Sequence, residues 1–288
     1  MLPVQIKKLK HGYIWRRILY ERLSEPLHLN IMALFVAVFG SLRAKINFDL
    51  VLRHQHSYAL LAAADEAKRL GHDRVSAIEF GVAAGAGLLN IQQITNRITK
   101  ETGVKFDIYG FDSGSGMPPP ESYKDHPDLY QAGDFPMNHE ALKSRLQDNV
   151  KLVLGDVSET VSRVLAEGFE SRPIGFISID VDYYRSTVDA LKILDGAADN
   201  YLPRVIVYLD DLEDMAHNSR CGELAAALEF NDAHPMRFIE RHRFLRGYRL
   251  FKNARWIDHI FQCHILDHET RTMLVQERNK AVLSNPYL

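Results

Sequence analysis

Four aspartates at the ends of two apolar runs are the residues with the clearest chemistry. Asp180 and Asp182 follow the run Ile174–Ile179, and Asp210 and Asp211 follow residues 205–209. Carboxylates gathered at neighbouring strand ends repel one another, and without a partner some stay protonated at neutral pH. A divalent cation removes that conflict. An all-oxygen donor set suits a hard ion, and Mg²⁺ is the usual choice where a substrate supplies further oxygens. Side chains two apart on extended backbone point the same way, so Asp180 and Asp182 are expected to face one pocket. Taken singly, each aspartate also reads as a helix cap or a solvated turn residue.

A second group lies in residues 75–90, where an apolar run ends in Glu79 and Phe80 and is followed by Gly81, Gly85 and Gly87 before a helical pattern begins. Glycines there let bare backbone approach a ligand at a helix N-terminus. The spacing departs from the G-x-G-x-x-G of dinucleotide folds, and an acid at the turn suits an amino or sulfonium charge better than a pyrophosphate. E-x-G-x-x-x-G-x-G after a first strand resembles motif I of class I S-adenosylmethionine (SAM) dependent methyltransferases; a plain packing turn is the alternative. Asp112, with Ser113 beside it, ends the next apolar run. It would share the rim of the glycine turn, where a carboxylate accepts from ribose hydroxyls or instead caps the loop 113–116. Asp156 either holds an adenine amino group or caps the following helix.

These residues need an α/β scaffold. Helical patterns cover residues 58–70, 88–100, 140–146, 158–167, 185 onward and 220–231, and strand patterns cover 75–80, 105–111, Val150–Leu154, Ile174–Ile179, 203–211, 236–242 and 256–266. Right-handed crossovers make the successive strands parallel, with the functional residues on one rim. The proline-rich connection 114–138 is long enough to be functional, and part of it is expected to close over the site. Tyr183, Tyr184 and Arg185 directly follow the acids and are pocket candidates, as are His54 and His56; His259 and His264 read as strand residues.

With 46% hydrophobic and 25% charged residues, the chain can bury the core of one large domain, residues 51–288, behind an N-terminal helical extension, residues 1–50. A net charge of −2 gives no bulk argument for nucleic acid or membrane. Only Cys221 and Cys263 are present, consistent with a reducing cytoplasm. In the extension, Lys7, Lys8, Lys10, Arg16 and Arg17 precede the apolar run 31–39, which is too short to span a bilayer. It reads as a helix packed on the domain or on a second subunit of a homo-oligomer, as a peripheral membrane anchor, or as a targeting segment.

Taken in order, FGVAAGAG, IYGFDSGSGMP, GDV, IDVDYYRST and YLDD resemble the macrocin-type family of Mg²⁺-dependent O-methyltransferases, over roughly residues 58–263. The resemblance implies a Rossmann-like class I methyltransferase fold, a seven-stranded, mostly parallel sheet with an antiparallel last strand and helices on both faces. It implies SAM as methyl donor, a small-molecule hydroxyl acceptor such as a sugar or diol, Asp180, Asp210 and Asp211 as metal ligands and Asp182 as base. Glu79, Gly81, Asp112 and Asp156 would fall on the SAM side, with Asp180 adjoining both ligands. The chain departs from the family pattern at Gly114-Ser115 and at Leu212, positions expected near the acceptor mouth. A methyltransferase-fold protein that binds SAM without catalysis, as a partner or regulatory subunit, is the alternative.

Overall fold

The computed structural model describes residue 15, residues 18–212 and residues 217–272. Lys7, Lys8, Lys10, Arg16 and Arg17 lie outside the described residues. Helices α1 (Leu27–Phe39), α2 (Leu42–Asn47) and α3 (His54–Arg69) lead to β1 (Arg74–Phe80), α4 (Ala86–Thr102) and β2 (Lys105–Asp112). After the long connection come α5 (His139–Lys143), β3 (Val150–Leu154), α6 (Val157–Leu165), β4 (Ile174–Ile179) and α7 (Tyr184–Leu191). The chain closes with β5 (Tyr201–Leu209), α8 (Gly222–Ala233), β6 (Arg237–Arg241), α9 (Leu245–Tyr248), β7 (Ile260–Ile265) and α10 (Glu269–Thr272).

The seven strands form one sheet in the order β3-β2-β1-β4-β5-β7-β6. β1 to β5 pair in parallel, and β7 runs antiparallel to both β5 and β6. This is the mostly parallel, Rossmann-like sheet with a reversed last strand that the resemblance implies. Neighbouring residues of a strand serve opposite faces. Ala77 and Phe176 thus join a core with Leu60 of α3 and Ile91 of α4, while Ile78 and Ile177 join one with Val161 of α6 and Phe230 of α8. Because both faces are covered, β4 is buried along its whole length, which explains its unbroken apolar sequence.

The register sets the rim. Phe80 is level with Phe111 and Ile179, Ile179 with Leu209, and Asp112 with Leu154. Gly81, Asp112, Gly155, Asp180 and Asp210 therefore emerge together at the carboxyl ends of the strands. The chain turns to one side of β1 for β2 and β3 and to the other for β4 and β5, so this rim includes the topological switch point where open α/β sheets bind ligands.

Two elements differ most from the sequence reading. The helix expected at residue 58 starts at His54, entered from Arg53 in a left-handed conformation with φ 46°. The last strand is shorter than 256–266, because Arg255–His259 form a 3₁₀ turn and the pairing with β5 stops at Tyr208–Ile260. Within that turn Trp256 donates to Asp49, 3.2 Å from its Oδ2, and His259 Nδ1 donates to the Leu209 carbonyl at 2.8 Å. These bonds replace the ladder.

The segment before α3 is fastened to the domain through buried charge. Asp49 and Arg249 pair at 2.7 Å with side chains 2% and 4% exposed, and Arg249 also donates to the Ile46 carbonyl. Burial pushes the Asp49 carboxyl up, against the opposing pull of Arg249 and Trp256. Breaking one side of such a pair is costly, so α2 is held firmly. α1 touches the rest through a narrow stripe: Ala33 and Val36 pack with Phe48 and Phe251. No helix among the described residues is long and apolar enough to cross a membrane.

Candidate active site

The turn after β1 forms one wall of a cleft of about 710 Å³. Gly81 has φ +83°, and a Cβ there would lie 1.7 Å from the Asp180 carbonyl oxygen. A Cβ on Gly87 would lie 1.8 Å from Glu79 Oε1, so the buried Glu79 carboxyl sits beneath the first turn of α4. Burial raises the Glu79 pKa well above the usual carboxylate range, and the neighbouring acids add to the shift. Its Oε2 is buried without a hydrogen-bond partner among the described residues. A cationic group entering the cleft would remove both penalties. Gly85 does not line the cleft; its missing side chain makes room for Leu142.

Asp112 organises this wall. Its Oδ2 accepts from the backbone N–H groups of Val82 (2.9 Å) and Ala83 (2.8 Å), and its Oδ1 accepts from Gly114 (2.7 Å). The loop-capping role considered from sequence is therefore present, and the same carboxylate ties the ends of β1 and β2 together. Lone pairs left on the two oxygens remain for a ligand hydroxyl. Ser113 donates to the Gly116 carbonyl, and Asp156 caps α6 through Ser158. Ser158's hydroxyl holds the Asp156 pKa below its usual value. Asp112, Ser113 and Asp156 all line the cleft.

The opposite wall is acidic. Carboxylate oxygens of Asp180, Asp210 and Asp211 lie within 4.8 Å of one another. Burial first, then Asp210 and Asp182, pushes Asp180 to about 8; burial first, then Asp182, pushes Asp211 to about 9. Tyr208 donates its hydroxyl to Asp210, and the Asp211 N–H donates to Glu223 at 3.1 Å. These donors fit a hard divalent cation: all ligand atoms are oxygens, and its charge would offset both the burial and the mutual repulsion that raise these carboxyls.

Asp182 lines the same cleft beside this trio and is not part of it. The reason differs from the alternation expected on an extended chain. β4 ends at Ile179, and Asp182 is left-handed, with φ 58°. Its N–H donates to Asp211 Oδ2 at 3.1 Å. Burial raises its pKa, while hydrogen bonds with Tyr130 and Asp211 act in the opposite direction.

Of the other candidates, Arg185 lines the cleft, while Tyr183, Tyr184, His54 and His56 do not. His56 is buried between Phe176 and Tyr208 and, through that burial, is pushed down to about 3. The connection 114–138 contributes Met117, Pro118, Asp134 and Phe135 to the lining, as expected of a covering loop. Ser115 lines the cleft, and Leu212 packs instead against the core between β4 and α8.

Sequence reasoning missed Arg53, Tyr130 and Glu223. Arg53 lines the cleft, and its charge lowers the pKa of both Glu79 and Asp180. Glu223 is fully buried behind Asp211, with its pKa raised well above normal by burial and then by Asp211. Its one legible signal was an acid in the first turn of a helix, which reads as an ordinary dipole partner.

The raised acids make a measurable prediction. Asp180 and Asp211 bind their protons more tightly folded than unfolded. The stability they contribute is full below the unfolded value of 3.8 and is lost as pH rises through about 8 and 9. In chelator the melting temperature should therefore fall between about pH 6 and about pH 9, and Mg²⁺ should raise it more at the alkaline end. Scanning fluorimetry with and without Mg²⁺ checks this; an equal or absent Mg²⁺ effect at both pH values contradicts a cation at this cluster.

No protein-family model and no curated protein matches the chain. Among solved structures, similar ones include the calicheamicin methyltransferase CalS11, at 22% identity over 70% of this chain and 83% of that one, with TM-score 0.45. The O-methyltransferase NovP is 16% identical over 64% and 73%, with TM-score 0.45. A CmcI structure with Mg and SAM is 14% identical over 70% of each chain, with TM-score 0.37. These are distant likenesses in outline, and the fold stands on its own strand order.

Proposed function

We propose that the chain is a SAM-dependent O-methyltransferase, assisted by Mg²⁺, that methylates a hydroxyl of a small molecule such as a sugar or another diol-bearing metabolite. The observation that carries this reading is the two-walled cleft. A glycine turn with a buried, unpartnered Glu79 oxygen faces a trio of carboxylates, with Asp182 beside them.

SAM would supply an already activated methyl group, and Mg²⁺, held by Asp180, Asp210 and Asp211, would act as a Lewis acid that lowers the acceptor hydroxyl's pKa. Glu79 would meet the positive amino end of the donor, and Asp112 would keep the turn in shape while its spare lone pairs accept from the ribose. Tyr208 and Glu223 hold Asp210 and Asp211 in place. Asp182, oriented by its own backbone and by Tyr130, would take the acceptor's proton as its oxygen takes the methyl group from the sulfonium, which leaves as the neutral thioether. Much of the acceleration would come from holding donor and acceptor in line.

Calorimetry with SAM, with and without Mg²⁺, followed by a screen of vicinal diols for methyl transfer, tests the reading. SAM binding together with Mg²⁺-dependent transfer is expected. SAM binding with no effect of Mg²⁺ and no transfer would favour the non-catalytic partner, and no SAM binding would end both readings.

A further inference from the structure

α1 has no charged side chain along its 13 residues. Leu27, Ile31, Leu34, Phe35, Val38 and Phe39 are each between 60 and 73% exposed, and with Met32 they cover a sector of roughly 160° at the helical pitch. Apart from the exposed His28 and the half-buried Asn30 the helix is apolar on every side, which suits an apolar environment, and the domain covers only the stripe of Ala33 and Val36. In an isolated interfacial helix the remaining sector would be charged; in this chain it holds Leu29, Ala33 and Val36, which pack on the domain, and the exposed Ala37.

The charge distribution says what meets the exposed face. Residues 1–50 contain eight Lys and Arg against three Asp and Glu, a net of +5 in a chain whose total is −2. The rest of the chain therefore carries −7. Pairing α1 with a second copy would bring two such basic segments together, whereas an anionic bilayer attracts them. Apolar burial plus basic charge are the two contributions that together give stable peripheral binding.

We propose that α1 docks the protein on an anionic lipid surface. The helix lies in the interface: 13 residues span about 20 Å, short of the roughly 30 Å hydrocarbon core. Packing of Ala33 and Val36 on Phe48 and Phe251 holds the helix to the domain, and the buried Asp49–Arg249 pair fastens the chain after α2, so the domain would sit on the membrane as one unit. This inference does not rest on the methyl-transfer reading.

Flotation of the full chain with phosphatidylcholine vesicles, with and without phosphatidylglycerol, tests it. Binding to the anionic vesicles is expected, with about tenfold less at high salt or on neutral vesicles. The double variant Leu34→Glu/Phe35→Glu should lose about tenfold or more, with circular dichroism and melting temperature unchanged; Ile31→Ser serves if the double variant misfolds. Wild-type protein that stays in the aqueous fraction overturns the proposal. So does a variant that binds like wild type, or a dimer broken by the same substitutions in a chain that ignores vesicles.

Discussion

Asp182→Asn is expected to cut methyl transfer by about 10²–10⁴-fold, the usual contribution of a positioned general base. The substitution keeps the side chain's size, and an amide can still accept from Tyr130 and donate to Asp211. Asparagine tolerates the left-handed backbone found at this position, and the bond from its N–H to Asp211 does not involve the carboxylate. SAM affinity, read by calorimetry, should stay within about twofold, because Asp182 is not part of the glycine wall. Mg²⁺ binding should survive too, since the cation would be held by the other three acids. Transfer of labelled methyl to an acceptor diol is the readout; undiminished turnover would remove Asp182 from the role of base.

Gly81→Ala is expected to destabilise the fold by about 4 kcal/mol or more, a melting-temperature loss of roughly 10 °C, and to abolish SAM binding. Two effects add. Alanine at φ +83° carries backbone strain of about 1–2 kcal/mol. The larger effect is the 1.7 Å approach of its Cβ to the Asp180 carbonyl, which forces apart the ends of β1 and β4. Gly71→Ala separates the two effects: its φ is +86°, but nothing lies within 4 Å of the added carbon. It should cost only the strain, about 1–2 kcal/mol, with SAM binding retained. Equal losses in the two variants would show that the close approach is unimportant.

The parts of the site that could be read in sequence are those adjoining an apolar run. Strand ends are local features, and a right-handed parallel sheet brings them to one rim; Gly81, Asp112, Asp180 and Asp210 were legible for that reason. Arg53 lines the cleft from a helix entrance, while Tyr130 and Glu223 back Asp182 and Asp211 from a loop and a helix start. Sequence distance gave no measure of their closeness to Asp182 and Asp211. Backbone conformation was also invisible: Asp182 reached the expected cleft by a left-handed turn in place of strand alternation. The exposed face of α1 was legible as apolar composition in residues 31–39, but which of its sides the domain would cover was not.

One loop contact has a consequence for how ligands enter. Asp125, in the connection between β2 and α5, is 1% exposed and accepts from the N–H groups of Glu121 and Ser122 and from Arg185 at the start of α7. The long excursion is thus riveted at its middle to the helix that follows the acids, and its two limbs are joined to each other by backbone bonds from Met117 to Gly133 and Asp134. Closure entropy grows only with the logarithm of loop length, but halving a loop still lowers it by about 0.6 kcal/mol. Met117 and Pro118 on one limb and Asp134 and Phe135 on the other therefore meet a ligand as one tied wall of the cleft.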